Sequence, residues 1–225
     1  MLNRLVAGAD TRKTRLHDEL GNMVSFSRAV RNAPRAVATG IMRLAFGHRP
    51  VRPWISYDAQ RLLAGFLTPH SRVLEFGSGM STVWYAAHAG EVVSIEDYQP
   101  WFLQVAQIIR DRKATNIRYR FARGSKDYSI PTANEQGEGF DLIMIDGSFR
   151  DQCVERSLRF LKPCGIVYLD NSDKGDDTST GDIPRAREMV LEFAKAKGAE
   201  VKYFTDFAPT QFFAQQGLLV YVKSL

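Results

Sequence analysis

Eight consecutive residues, Glu75-Phe76-Gly77-Ser78-Gly79-Met80-Ser81-Thr82, combine one carboxylate, two glycines and three hydroxyls. The run closes a short apolar stretch and opens a helical pattern, the context in which a glycine loop holds a nucleotide-type ligand. Gly77 permits a tight turn, and Gly79 lets the backbone approach a ligand with no Cβ in the way. Ser81 or Thr82 can cap the helix that follows. About 20 residues further on, Glu96 ends a second apolar run, where a carboxylate can accept hydrogen bonds from ribose hydroxyls. A carboxylate there is expensive unless it has partners. Asp97 is adjacent and could share the role.

These groups need a scaffold, and the hydropathy pattern supplies one. Arg72–Phe76, Glu91–Glu96, Asn116–Phe121, Phe140–Asp146 and Gly165–Asp170 read as buried strands. Helical patterns at Ser81–Ala89, Pro100–Lys113, Arg150–Leu161 and Pro184–Lys197 alternate with them. Alternation of this kind implies an α/β fold with a doubly wound, mostly parallel sheet, whose strand C-termini share one ligand-binding edge. Glu200–Thr205 and Leu218–Lys223 complete seven strands, and the short connector between them makes the last strand antiparallel. Tyr57–Leu67 reads as a further helix. Upstream lie helical segments carrying Leu16, Leu20 and Met23, then Val30, Val37, Ile41 and Leu44, punctuated by Pro34, Pro50 and Pro53. Two units follow: a helical extension or cover over 1–53 and a ligand-binding domain over 54–225. The polar stretch Asn171–Asp182 reads as a mobile loop.

The string VLEFGSGMSTVWYA, followed by VVSIEDYQPW, resembles motif I and the next strand of class I S-adenosylmethionine (SAM)-dependent methyltransferases. The nearest pattern is a bacterial group whose loop reads Gly-Ser-Gly-x-Ser-Thr, with Ser81 in place of a third glycine. The resemblance runs from about Trp54 to the C-terminus and implies a Rossmann-like fold with SAM as methyl donor. It places Phe76, Gly77, Ser78, Gly79, Ser81 and Thr82 in the cofactor loop. It gives Glu75 the task of organising that loop or the ligand's ammonium, and Glu96, with Asp97, that of holding the ribose. Arg123-Gly124-Ser125-Lys126 would lie beside the adenine.

Methyl transfer requires donor and acceptor in line, and an acceptor hydroxyl must lose its proton to a base or a Lewis acid. The ends of strands four and five carry Asp146 and Asp170-Asn171. These three resemble the oxygen-ligand set of metal-dependent catechol- and caffeoyl-CoA-type O-methyltransferases, and two carboxylates with an amide suit Mg²⁺ or Ca²⁺ better than zinc. In the non-metal reading, Asp146 contacts SAM or substrate while Asp170-Asn171 simply ends a strand. Arg150 either grips an anionic acceptor group or pairs at the surface with Asp151 or Glu155. Lys174 serves as a base only if burial depresses its pKa. Trp54, Tyr57 and Trp84 line an acceptor pocket or belong to the core. His17, His48, His70 and His88 lie away from strand C-termini and read as structural.

The chain has 225 residues, 44% hydrophobic and 24% charged, the balance of an ordinary globular protein. Its apolar runs are too short to span a bilayer. Charge enters the first residues before any sustained apolar core, so a cytoplasmic location is expected. Cys153 and Cys164 form no CxxC, which argues against a disulfide or a zinc site. The net charge of +5 draws on arginines before Pro53. They form either a solvated helical face or a basic arm toward nucleic acid or an anionic membrane; no run is dense enough for a dedicated nucleic-acid motif. The acceptor is expected to be a small-molecule or glycan hydroxyl, and a homodimer stays open. Two other functions compete: an NAD-dependent oxidoreductase and a non-catalytic SAM-fold binding module.

Overall fold

The computed structural model describes residues 12–175 and 182–223. Seven strands form one sheet: β1 (Arg72–Phe76), β2 (Glu91–Glu96), β3 (Ile117–Phe121), β4 (Phe140–Ile145), β5 (Leu161–Leu169), β6 (Glu200–Asp206) and β7 (Gln215–Tyr221). Their order is β3-β2-β1-β4-β5-β7-β6. The first five run parallel, and β7 is antiparallel to both β5 and β6. The helices are α1 (Phe26–Phe46), α2 (Tyr57–Phe66), α3 (Met80–Ala86), α4 (Gln99–Asp111), α5 (Gly124–Tyr128), α6 (Ala133–Gln136), α7 (Arg150–Ser157) and α8 (Asp182–Lys197). The short α5 and α6 occupy the stretch between β3 and β4 that the sequence pattern leaves without an element.

The central strands are apolar on both faces because both faces are covered, as parallel sheets require. Leu74, Phe76, Val93, Ile143 and Val167 pack with Val154 of α7 and Ala186 and Val190 of α8. Their neighbours Val73, Leu142, Met144 and Tyr168 point the other way, against Ala59 and Leu63 of α2 and Tyr85 of α3. The alternation pins the register, since a one-residue slip would exchange the two faces. It also brings the ends of β1, β4 and β5 level, with Phe76 beside Ile145 and Ile145 beside Leu169.

The N-terminal region departs from expectation. Leu16, Leu20 and Met23 do not form a helical face; residues 12–24 are turns closed by an isolated bridge from His17 to Met23, and all three side chains are exposed. Asp18 and Asp173 are both fully buried here. Asp18 accepts from Thr205 and Gln216 side chains, and Asp173 accepts the Glu19 and Gln216 backbone N–H groups. Arg12 adds ion pairs to Glu19 and Asp173. Pro34 does not interrupt α1, which continues through it for 21 residues; the proline is exposed, so water can reach the carbonyl it leaves unpaired. The face α1 buries is its small one, Asn32, Ala36 and Gly40. Asn32 donates to Asp206 at 2.6 Å, and a Cβ on Gly40 would stand 2.5 Å from the Phe212 ring.

At the ligand edge the loops after β1 and β4 cross in contact. Gly77 has φ +89°, and a Cβ there would lie 2.6 Å from the Gly147 Cα. Backbone cannot yield as a side chain can, so Gly77→Ala is expected to remove about 2 kcal/mol or more of stability, read as a lower urea midpoint at unchanged slope.

Candidate cofactor and acceptor site

The loop after β1 is built around a buried carboxylate. Glu75 has no exposed surface. Its Oε1 accepts from Ser81 Oγ at 2.5 Å, and its Oε2 accepts from Thr82 Oγ1 and Ser94 Oγ, each at 2.6 Å. Thr82 Oγ1 in turn accepts the Gly79 backbone N–H at 3.0 Å, capping α3 from inside its first turn. Glu75 thus ties β1 to the start of α3 and to β2. Gly79 has φ 173°, an extended conformation open to any residue, and a Cβ would meet nothing closer than 3.7 Å. The space over Gly79 is free rather than sterically demanded.

Glu96 lies at the end of β2, 5% exposed, and faces the same loop. Oε1 accepts the Asp97 and Tyr98 backbone N–H groups at 3.1 and 2.9 Å. Oε2 accepts the Ser78 backbone N–H at 3.0 Å and Ser78 Oγ at 2.7 Å, and that hydroxyl is also 2.7 Å from Tyr119 OH. The partners this carboxylate needs are thus present. The neighbouring cleft is lined by Arg52, Trp54, Ser78, Gly79, Met80, Ser81, Trp101 and Asp146 and holds about 90 Å³. Sites for drug-sized ligands run to roughly 300–1,000 Å³. Trp101 accounts for the narrowness: its Nε1 donates to the Ser78 carbonyl at 2.7 Å, and Arg49 stacks on its ring at 4.7 Å. From the sequence, Trp101 reads as part of a helix's apolar face, and neither it nor the two arginines takes a place in the site. A tryptophan five residues past an acidic strand end is the signal that could have found the first of them.

Of the three aromatics considered for an acceptor pocket, Trp54 lines the cleft. Tyr57 is buried among Val24, Ala36 and Phe207, so it is core. Trp84 stacks on His88 at 4.0 Å, beside Val51 and Arg112, away from the cleft. Gly124 and Ser125 open α5; Gly124 is exposed at φ +71°. Lys174 pairs with Glu19 at 3.6 Å. Residues 176–181 of the expected loop lie outside the described residues.

Asp146, Asp170 and Asn171 come together at the ends of β4 and β5, as the spacing predicted, but Arg150 joins them. It is neither a surface residue nor paired with Asp151 or Glu155: only 8% is exposed. Its guanidinium donates to the Gly147 and Asp170 carbonyls and approaches Asp146 Oδ1 at 3.5 Å and Asn171 Oδ1 at 3.4 Å. The residues present do not suit a divalent cation. An ion able to touch Asp146 and Asn171 together would compete for space and charge with the guanidinium that already spans them. Burial and the adjacent Asp146 push Asp170 well above the usual carboxylate range, and its Oδ1 has no hydrogen-bond partner among the described residues. Burial also raises Asp146, with Arg150 opposing. Of the two, Asp170 is raised further.

Burial raises Glu75 from 4.5 to about 7 against the pull of its three hydroxyls. The contribution of this group to stability is full while it is protonated in both states. It is lost as pH rises from 4.5, where the unfolded chain ionises, through about 7. Glu75→Gln should therefore match the parent near pH 4.5 and melt about 5 °C higher at pH 8, checked by thermal unfolding across that range.

No family model matches the chain, and neither does any curated protein. Solved structures do. The O-methyltransferase TomG from Streptomyces achromogenes, involved in tomaymycin synthesis and solved with SAM, aligns at a TM-score of 0.60 with 18% identity, over 86% of this chain and 90% of that one. An O-methyltransferase from Bacillus cereus in complex with SAH gives 0.58 at 18% identity, over 88% and 87%. An rRNA methylase from Streptococcus thermophilus gives 0.55 at 14%, over 79% and 98%. The seven-stranded sheet with its antiparallel β7 has the Rossmann-like fold on which these methyltransferases are built.

Proposed function

We propose that this chain is a SAM-dependent methyltransferase acting on a hydroxyl of a small molecule or glycan without a metal. The observation that carries the reading is Glu96, a buried carboxylate that accepts the backbone N–H and hydroxyl of Ser78 in the glycine loop, beside a cleft lined by Ser78, Gly79 and Asp146. A dinucleotide-binding sheet has the order 3-2-1-4-5-6. The insertion of β7 between β5 and β6 therefore disfavours the oxidoreductase reading, although the loop and the carboxylate would serve either ligand.

Bound SAM supplies an electrophilic methyl on a sulfonium that departs as a neutral thioether. The chain's part is to bind, orient and take a proton. Glu96 exchanges the Ser78 hydroxyl for ribose hydroxyls while keeping the Ser78 backbone N–H. Trp101 releases the Ser78 carbonyl and widens the cleft, with Arg49 moving alongside. Asp146 receives the acceptor's hydroxyl proton as the acceptor oxygen takes the methyl; burial raises its basicity toward that task. Arg150 holds Asp146 in position and supplies the positive charge that a metal would otherwise bring to this corner.

SAH should bind with a change in tryptophan fluorescence that Trp101→Phe largely removes. Glu96→Ala should weaken SAH binding by about 100-fold, the scale of two lost hydrogen bonds to a charged group. NAD binding in place of SAH would overturn the assignment. With labelled SAM and a panel of phenolic and sugar hydroxyls, transfer should persist in EDTA and fall about 100-fold in Asp146→Asn, with SAH affinity retained. Loss of transfer on chelation would restore the metal.

A further inference from the structure

The turn that leads into α2 forms one wall of the cleft and is firmly anchored. Pro50 and Pro53 lock φ on either side of Arg52. The Pro50 carbonyl accepts the Arg52 backbone N–H at 2.9 Å and Trp54 Nε1 at 3.5 Å. The buried Gln60 side chain of α2 donates to the Pro53 and Ile55 carbonyls, each at 2.9 Å. Gln215 donates to the Trp54 carbonyl at 3.2 Å. The turn so held presents Arg52 and Trp54 to the same cleft as Gly79 and Asp146.

Arg52 is the unspent charge of this wall. It is half-buried, yet its guanidinium makes no hydrogen bond or ion pair among the described residues. The carboxylates around it are committed elsewhere. Asp146 faces Arg150 at 3.5 Å. Glu96 is bonded to the glycine loop and to the Asp97 and Tyr98 backbone N–H groups. Asp58 is shared by Arg28, Arg31 and Arg61. Asp97 acts on Tyr128 and Cys153, which pack on the opposite face of the sheet from α2. The Arg52 charge reaches the Tyr57 hydroxyl, but burial raises that group and keeps it neutral. Bound SAM would not correct the balance, since its sulfonium and ammonium outnumber its single carboxylate. A guanidinium placed this way matches a carboxylate or phosphate in a bidentate pair.

We infer that the methyl acceptor is an anion: a hydroxyl compound bearing a carboxylate or phosphate that Arg52 binds, with Trp54 packed against its body. The inference deepens the methyltransferase reading and rests on it. Arg52 and Asp146 hold the acceptor at two points of the cleft, the anionic group by charge and the reacting hydroxyl by its proton. The same oxyanion chemistry has a second source in the carboxylate of SAM. The net positive charge of the donor favours the acceptor, and the test separates the two.

Calorimetry on the full chain measures SAH binding first. With SAH saturating, it then compares protocatechuate with catechol and glucose phosphate with glucose. In the parent at least one anion should bind about tenfold or more tightly than its neutral counterpart, the scale of a charge-assisted pair. Arg52→Gln should bring that ratio to about two or below, with SAH affinity and melting temperature unchanged, and Arg52→Lys should keep part of it. Failure of SAH to bind the parent overturns the methyltransferase reading and this inference with it. With SAH bound, three results overturn the inference alone: no anion preference in the parent; a preference that persists in Arg52→Gln; or an SAH affinity about tenfold weaker in that variant, which assigns Arg52 to the donor's carboxylate.

Discussion

A carboxylate with no access to water holds the ligand edge together. Glu75 sits at the end of β1 and takes hydroxyls from both ends of its surroundings: Ser81 and Thr82 at the start of α3, and Ser94 on β2. Burying it is expensive, which its raised pKa records. What the expense secures is geometry. Strand, loop and helix are fixed to one point, and Thr82 passes the constraint on to the Gly79 N–H. The open backbone over which a nucleoside would lie owes its shape to this group.

The second corner of the site balances charge differently. Two carboxylates from adjacent strands meet there, and their repulsion is relieved by a proton on one of them or by a cation. Arg150 provides that cation from within the chain, anchored by the Gly147 and Asp170 carbonyls. A guanidinium is always charged and cannot be chelated. The positive charge at this corner is therefore a fixed property of the fold.

Much of this was legible before any coordinates. β1, β2, β4 and β5 were readable because they are buried on both faces and so largely apolar; β3, at the sheet edge, alternates Ile117, Tyr119 and Phe121 with Arg118 and Arg120. The turn after β1 was readable because Gly77 has no alternative: another backbone runs beneath it. The direction of Arg150 was not readable, because an arginine at a helix start gives no sign of whether it faces out or back across the strand ends. Trp101 over Ser78 is a contact between residues 23 apart, invisible to periodicity. The second N-terminal segment was readable as a helix. Hydropathy spacing identifies a face without saying which way it turns, and in α1 the close approach to β6 and the Phe212 ring buries Asn32, Ala36 and Gly40.

The stitch between Asp18, Asp173 and Gln216 bears on how the molecule assembles. Its bonds join residues 154 and 198 positions apart, among the most distant pairings such a chain can make, and closing loops of that length is entropically unfavourable until other structure has brought the ends near. The turns around Asp18 take their partners from β6, β7 and the loop after β5, so their order depends on the far half of the sheet being in place.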